Sequence, residues 1–295
     1  MKFINDPKTG VLPFWQHLGI GGWRLDVADE FPDEFLDALR VTVKQTDPEA
    51  LIIGEVWEDA TTKFAYDHRR RYFLGKQLDS VMNYPWKDAI IEFVLTKNSH
   101  ALRFAIEELI DPKPALDVLM NLLDSHDTER IITKIGFGNT EAVPLHERPT
   151  LELTGKELEN TIQKLKIASF IQFTLPGVPS IYYGDEIGMQ GFRDPYNRKT
   201  FSKKEINEEI FEHYKALTAF RTEYKEDFKG DFNVIYENNG CLVYQRESLL
   251  CAVNMNEHTE YIEGLHGKQI FASHKTRKHP NGLLVPANGF AAYQI

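Results

Sequence analysis

Apolar positions in the first part of the chain alternate between short continuous runs and helical spacing. The segments 23–27 (WRLDV) and 51–56 (LIIGEV) predict two buried strands. Between them, Phe35, Leu39 and Val43 recur at intervals of four, which predicts an amphipathic helix that begins after Pro32. A strand, a helix and a second strand in this order form a βαβ unit, so we expect the two strands to be parallel.

The same alternation continues along the chain. Further strands are predicted at 80–84, 116–123 and 179–183, and a helix is predicted through Leu102 and Ile106. Five β-then-α units indicate an α/β fold, either a (β/α) barrel or a doubly wound sheet. No GxGxxG motif follows the first strand, which disfavours a dinucleotide-binding sheet.

Two capping boxes are expected to begin later helices. Residues 154–157 (TGKE) precede a helix with Leu158, Ile162 and Leu165 on one face. Residues 202–205 (SKKE) precede a second helical pattern. The basic residues 68–71 (HRRR) are expected on a solvated helix face.

After about residue 230 the pattern changes to short β-type runs separated by Asn-Gly turns. These runs predict a small antiparallel β-domain, and they are 232–236, 241–246, 249–254, 269–271 and 289–295. We therefore expect an α/β domain over residues 1–228 and a C-terminal β-sandwich domain over residues 229–295.

The charge of the chain limits its partners. It has 34 Lys and Arg against 44 Asp and Glu, a formal net charge of −10, and no basic arm. This balance argues against nucleic acid and fits a neutral substrate such as a sugar. No apolar run is long enough for a membrane span, and no secretory signal is visible, so cytoplasmic localisation is expected. Cys241 and Cys251 are expected as reduced core thiols, with one disulfide as the alternative.

Carboxylates lie at the ends of the predicted strands. Asp26, Glu55, Asp127 and Asp185 each end a strand or follow it closely. The carboxyl ends of barrel strands are where catalytic groups collect. Arg24 precedes Asp26 by two positions, so both would point to one face of a strand, where burial of the pair would hold Asp26 ionised. A structural Arg–Asp pair is the alternative for these two residues alone.

Four segments occur in the order of the motifs of the α-amylase family, glycoside hydrolase family 13. They are GWRLDVADE, IIGEVWED, LLDSHDTER and GVPSIYYGDEIGMQGFRDPYNRKTF. Within the family they most resemble neopullulanase, cyclomaltodextrinase and maltogenic-amylase-type enzymes. The resemblance implies a retaining glycoside hydrolase that cleaves α-1,4 bonds, with α-1,6 bonds as an alternative, in maltodextrin, cyclodextrin or pullulan.

The resemblance also implies roles for particular residues. Asp26 matches the nucleophile, Glu55 the general acid and base, and Asp127 the third carboxylate, which binds sugar hydroxyls. His126 lies beside Asp127 as a substrate-binding residue, and Arg24 matches the arginine that orients the nucleophile.

Other candidates are less specific. Trp57 either stacks on a sugar ring or is a core aromatic, and Asp185 is a candidate substrate-binding residue. Asp194 and Arg198 are expected to form a pair that holds a loop. No cluster has transition-metal spacing. No cofactor is expected, and calcium, although common in the family, is not indicated.

The chain departs from the family pattern in one respect. It resembles only strands four to eight of the (β/α)8 TIM barrel, so we expect a partial barrel with two exposed strand edges. The first interpretation is that the chain is a truncated hydrolase. Its expected partner is an α-glucan oligosaccharide substrate. The alternatives are a non-catalytic carbohydrate-binding or half-barrel interaction protein, or a chain complemented by another that carries the missing strands. Self-association, including a homo-oligomer, is expected.

Overall fold

A computed structural model describes residues 2–73, 77–110 and 117–295. Its helices, in chain order, are Lys2–Asn5 (α1), Val11–His17 (α2), Asp33–Thr46 (α3), Tyr84–Thr96 (α4), Ser99–Ile110 (α5), Ile131–Phe137 (α6), Gly155–Thr174 (α7) and Glu208–Glu223 (α8). Its strands up to the C-terminal region are Gly22–Leu25 (β1), Leu51–Gly54 (β2), Phe64–Ala65 (β3), His68–Arg69 (β4), Ser80–Val81 (β5), Met120–Asn121 (β6) and Val178–Pro179 (β7).

The remaining strands lie close together near the end of the chain. They are Phe232–Asn238 (β8), Cys241–Arg246 (β9), Leu249–Asn254 (β10), Glu260–Glu263 (β11), Lys268–Ala272 (β12), Gly282–Val285 (β13) and Gly289–Gln294 (β14). The chain forms two compact units: Met1–Pro85 with Leu109–Met120, and Trp86–Glu108 with Asn121–Ile295. No helix of the described residues is long and apolar enough to cross a membrane.

The first unit contains the predicted βαβ arrangement. Strands β1 and β2 are parallel, α3 connects them, and β5 pairs with the other side of β2. Helix α3 buries Leu36, Leu39 and Val43, as its spacing predicts. Gly22 permits the close pairing of β1 with β2, because a Cβ atom there would lie 2.5 Å from the Leu51 carbonyl oxygen.

In the second unit the long helix α7 is buried along much of its length. Ile162 and Leu165, which share the predicted apolar face, are both buried. Helix α8 likewise buries Ile210, Tyr214 and Leu217. These helices confirm the predicted helical periodicity in this part of the chain.

The C-terminal strands form an antiparallel sheet in the order β12-β14-β10-β9-β8, with β11 and β13 paired separately. Their shared core consists of Cys241, Val243, Leu250, Ala252, Ile262, Leu283, Val285, Ala291 and Tyr293. Cys241 and Cys251 are free and buried, which confirms the prediction of reduced core thiols. Burial raises the pKa of Cys251 to about 12.

Several predicted elements differ from those of the structure. The strand expected over 23–27 ends at Leu25, and those expected over 80–84 and 179–183 are two-residue strands. The strand expected over 116–123 is reduced to β6, and Leu116 lies outside the described residues. These strands are shorter than the apolar runs that predicted them, because each run continues beyond the residues that pair.

The first capping box correctly predicted where a helix begins, since Thr154 is the N-cap residue of α7, whereas the second box did not. The side chain of Thr154 makes no capping hydrogen bond at the start of α7. Helix α8 begins after Asn207, whose side chain accepts a hydrogen bond from the Ile210 N–H at 3.2 Å, so the 202–205 box lies outside the helix. His68 and Arg69 form β4 of a hairpin with β3, and the predicted helix there is also wrong.

Candidate active site

Arg24 and Asp26 lie at the end of β1, and their side chains form a hydrogen-bonded ion pair. This confirms the predicted pairing. The expected burial is wrong, since the Asp26 side chain is 74% exposed. The reason is that β1 ends at Leu25, so that Asp26 belongs to the turn beyond the strand.

Glu55 follows β2 and is buried, with only 3% of its side chain exposed. The Arg24 guanidinium also reaches this carboxylate, with Nη2 at 3.0 Å from Oε2. The Val27 N–H donates to Oε2 at 2.9 Å, and the Trp57 Nε1–H donates to Oε1 at 3.1 Å. Three donors therefore fix the orientation of a buried carboxylate, which offsets the cost of its burial.

The turn after β1 directs a backbone donor to Glu55. Val27 has φ 38° and ψ 56°, a left-handed conformation that is rare for a β-branched residue. The Ala28 N–H donates to the Glu55 carbonyl oxygen at 3.0 Å in the same turn. Strained backbone of this kind is most often found at functional sites, where surrounding contacts maintain it.

Trp57 contacts both Glu55 and an aromatic neighbour. Its ring stacks on that of Tyr84, with the centroids 4.2 Å apart and the planes at 9°. The residue is 41% exposed, so it is not simply a core aromatic. Its contact with Glu55 gives it a positioning role that neither of the two predicted roles included.

His126 and Asp127 belong to the second unit and contact each other. His126 Nε2 lies 3.1 Å from Asp127 Oδ2, and Arg198 Nη2 lies 3.2 Å from Asp127 Oδ1. Arg198 Nε also donates to the His126 carbonyl oxygen at 3.0 Å. Asp194 Oδ1 is 3.4 Å from Arg198 Nε, in agreement with the expected pair.

Asn197 is a residue of this site that the sequence analysis missed. It is buried, and its Nδ2 donates to the carbonyl oxygens of His126 and Thr128 at 2.7 Å each. Together with Arg198, it holds the backbone that carries Asp127. Its place next to Arg198 in the fourth motif was the only signal that could have indicated it.

Asp185 is buried, with 4% of its side chain exposed, and pairs with Arg130 at 3.2 Å. Burial, and then the nearby Asp124 carboxylate, raise its pKa well above the usual range, although Arg130 acts in the opposite direction. The Arg130 guanidinium lies over the ring of Tyr182, 4.0 Å from its centroid. These contacts favour a structural role for Asp185 over the predicted contact with substrate.

Among residues 2–73, 77–110 and 117–295, no group of three or more His, Cys, Asp or Glu side chains is arranged to hold a metal ion. The carboxylates described above are instead held by arginine, tryptophan and backbone donors.

Residues 4–231 match the sequence profile described as "Alpha amylase, catalytic domain". The chain belongs to this family. It is 40% identical over 224 residues to neopullulanase 2 of Thermoactinomyces vulgaris. This alignment covers 74% of the chain and 33% of the relative. It is 32% identical over 287 residues to a cyclomaltodextrinase of Thermoanaerobacter pseudethanolicus. That alignment covers 93% of the chain and 44% of the relative.

Solved structures agree with this family. The Nostoc punctiforme debranching enzyme superposes with a TM-score of 0.79 at 26% identity and covers 96% of this chain and 60% of its own. The chain therefore has the fold of the α-amylase catalytic domain over most of its length. It spans only a third to less than half of the two curated relatives.

Proposed function

We propose that this member of the α-amylase family is a retaining glycoside hydrolase in which Asp26 is the nucleophile and Glu55 the general acid and base. The observation that carries the proposal is the Arg24 guanidinium, which contacts both carboxylates through its two terminal nitrogens. Retaining enzymes place two carboxyl groups about 5 Å apart across the glycosidic bond. A single guanidinium that contacts both groups supports such a short separation.

In the first step, an Asp26 oxygen attacks the anomeric carbon and forms a glycosyl ester. Glu55 gives its proton to the glycosidic oxygen, and that bond breaks to release the sugar alcohol. Arg24 holds Asp26 in position toward the substrate through their hydrogen-bonded ion pair. The exposure of Asp26 leaves it open to a ligand.

In the second step, Glu55 takes a proton from water, whose oxygen attacks the anomeric carbon and displaces Asp26. The two inversions retain the anomeric configuration. The Trp57 and Val27 donors hold Glu55 in one orientation during both steps. Such fixed donors reduce the reorganisation needed at the moment of proton transfer.

We propose that Asp127 and His126 bind sugar hydroxyls, as the family resemblance implies. Their contacts with Arg198 and with Asn197 support a fixed position for both groups. Relatives named neopullulanase and cyclomaltodextrinase support α-glucans as the substrate class, namely maltodextrin, cyclodextrin or pullulan with α-1,4 or α-1,6 bonds. The parallel strands are proposed to be strands four to eight of the family barrel, and residues 229–295 a separate β-domain.

One observation supports a second candidate. In the described part of the chain, β1 pairs only with β2, and Asp26 beside it is largely exposed. Both features fit a carbohydrate-binding or half-barrel protein whose site is completed by another chain. This candidate predicts no turnover by the chain alone.

The test is the hydrolysis of maltodextrin and cyclodextrin by the purified chain. We expect Asp26→Asn to lower kcat by about a thousandfold or more, because the amide cannot form the glycosyl ester. We expect the free energy of unfolding to change by less than about 1 kcal/mol, since an exposed ion pair contributes little. Asp67→Asn, at an exposed position of the same unit, is the matched control and should keep full activity.

Substantial activity in Asp26→Asn would rule out this residue as the nucleophile. A folded but inactive wild-type chain would favour the second candidate. In that case, binding of maltodextrin without hydrolysis would be measured by calorimetry.

A further inference from the structure

The end of the chain has a charge opposite to that of the rest. Residues 264–295 contain four Lys and Arg and no Asp or Glu. The preceding 263 residues contain 30 Lys and Arg and 44 Asp and Glu, a formal charge of −14. A local excess of one sign within an oppositely charged protein favours ligands of the opposite charge at that surface.

Three of these four basic residues, Lys268, Arg277 and Lys278, line a cavity. Its volume is about 520 Å³, and its lining includes His266, Lys268, Arg277, Lys278 and His279, a set that we call the basic cavity. Within the described residues, no carboxylate oxygen lies within 4.0 Å of a side-chain nitrogen of any of the five. The cavity lies entirely in the second unit, on the C-terminal β region.

The loop that carries three of the basic residues is held in place by side-chain bonds. It runs from the end of β12 to the start of β13. Gln269 Nε2 donates to Thr276 Oγ1 at 3.1 Å, and the Thr276 N–H donates to Gln269 Oε1 at 3.3 Å. These reciprocal bonds hold the loop against β12, which itself provides Lys268. These two bonds fix the loop beside β12, and the basic side chains of the cavity are exposed to solvent.

One part of the cavity lining is apolar. Leu283, Leu284 and Tyr293 line it, and the Tyr293 hydroxyl donates to the Leu284 carbonyl oxygen at 2.7 Å. Because that hydroxyl already has an acceptor, this wall offers mainly carbon surface. A ligand that fills the whole cavity would therefore need an anionic end and a less polar end.

We propose that the basic cavity binds a phosphate monoester of a sugar. Cations crowded together without carboxylates repel one another, and a dianion relieves this repulsion. Arginine and lysine are the usual ligands of phosphate oxygens. The cavity exceeds the space that one phosphate group needs, which leaves room for a carbon skeleton. The choice of a sugar, unlike that of an anion, rests on the proposed α-glucan function.

Two kinds of molecule carry a phosphate monoester of a sugar. One is a free sugar phosphate, and the other is a glucan chain that bears esterified phosphate groups. Isothermal titration calorimetry with glucose 6-phosphate tests the first source, with glucose and inorganic phosphate as reference ligands. Co-sedimentation with phosphorylated amylopectin, before and after phosphatase treatment, tests the second. Neither measurement requires catalytic turnover, so failure of the proposed hydrolase function would not affect them.

The decisive variant is Lys268→Gln/Arg277→Gln/Lys278→Gln. We expect it to weaken binding by at least about tenfold, because each lost cation removes a charge-assisted contact. The matched control, Lys203→Gln/Lys204→Gln/Lys275→Gln, removes the same charge from exposed positions outside the cavity and should bind as the wild type does. Circular dichroism would verify that both variants are folded.

Binding of either phosphorylated ligand, lost only in the cavity variant, would support the proposal and identify the source. Three results would overturn it. They are no binding to either ligand, equal loss in both variants, and binding of inorganic phosphate as tight as that of glucose 6-phosphate.

Discussion

A single arginine side chain connects the two carboxylates that the proposed reaction requires. Arg24 contacts the exposed Asp26 and the buried Glu55 at the same time. The two carboxylates thus have different surroundings, one open to solvent and one enclosed by donors. Different environments are how a pair of carboxylates acquires different chemical roles.

The Trp57 indole N–H provides a test at the residue scale. Trp57→Phe keeps an aromatic ring against Tyr84 but removes the donor to Glu55. We expect kcat/KM for maltodextrin to fall about tenfold, because a hydrogen bond to a charged group contributes about 1.5 kcal/mol. Unfolding in urea should be nearly unchanged.

Trp15→Phe is the matched control, since Trp15 is also partly exposed but packs against Phe14. It should have wild-type activity. Full activity in Trp57→Phe would show that the bond to Glu55 has no part in the reaction.

The sequence allowed some of these residues to be predicted and not others. The spacing of Arg24 and Asp26 was sufficient for their pairing, because it is a local property of the backbone. The Trp57 bond to Glu55 and the left-handed Val27 could not be predicted, since they depend on how the turn after β1 meets the turn after β2. Asp185 likewise pairs with Arg130, which is distant in sequence, so this contact could not be predicted either.

At the scale of elements, the start of α8 depends on one side chain. Asn207→Ala removes the acceptor of the Ile210 N–H, so we expect a loss of about 1 kcal/mol in the free energy of unfolding. Ser202→Ala, in the capping box that does not cap, should have almost no effect. Denaturant unfolding of both variants measures the difference. A larger loss in Ser202→Ala than in Asn207→Ala would contradict the assignment of the cap.

Helix α3 and strand β2 are joined by Asp79, which gives a prediction about pH. Its carboxylate lies 2.8 Å from Arg40, 2.9 Å from Lys44 and 2.9 Å from the Ile52 N–H. Burial acts to raise its pKa, but the bonds from Lys44, Arg40 and Ile52 outweigh burial and lower it. A lowered folded-state pKa stabilises the protein above the unfolded-state pKa of about 4, and this stabilisation is lost as the pH falls through the folded-state value.

We therefore expect Asp79→Asn to cost about 2 kcal/mol at pH 7 and progressively less below pH 4. Denaturant unfolding between pH 7 and pH 3 measures this dependence. Glu49→Gln, at an exposed position of the same unit, should follow the wild-type pH profile. The interpretation is wrong if the cost of Asp79→Asn does not depend on pH.

The types of element were easier to predict than their lengths. All five predicted C-terminal strands lie within two residues of the observed ends, because runs of β-branched and aromatic residues are separated by polar turn residues. The short strands β11 and β13 were missed, since four residues give little periodicity. The parallel strands were predicted too long because a continuous apolar run does not indicate where pairing ends.

For the whole molecule, exposed apolar side chains predict dye binding and self-association. Phe3, Phe14, Trp15 and Leu18 are all exposed on α1, on α2 or just after it. Exposed apolar clusters of this kind bind 1-anilinonaphthalene-8-sulfonate and favour association. We expect enhanced dye fluorescence and a species larger than a monomer in light scattering.

Phe14→Ser/Leu18→Ser should reduce both signals if these residues form the exposed surface. Tyr261→Ser, at an exposed aromatic position of the other unit, should leave them unchanged. A compact, monodisperse wild-type monomer without dye binding would show that the expectation of an open surface is wrong.

The family and the broad architecture could be predicted because they rest on four motifs and on repeated alternation of elements. The basic cavity could not, since His266 and Lys268 lie well before Arg277 and Lys278 in the sequence. The bonds between Gln269 and Thr276 help to hold the two groups in one place. Properties that require such distant contacts become visible only in the folded chain.

The reactivity of the two buried cysteines can report local unfolding of the C-terminal sheet. Both thiols are fully enclosed in the C-terminal sheet, and burial keeps Cys251 protonated at neutral pH. An alkylating reagent reacts with the thiolate, so in the folded protein neither sulfur offers it a target. At a reagent concentration at which alkylation is faster than reclosing, the rate of cysteine modification is the rate at which the sheet opens, and no label needs to be introduced to observe it.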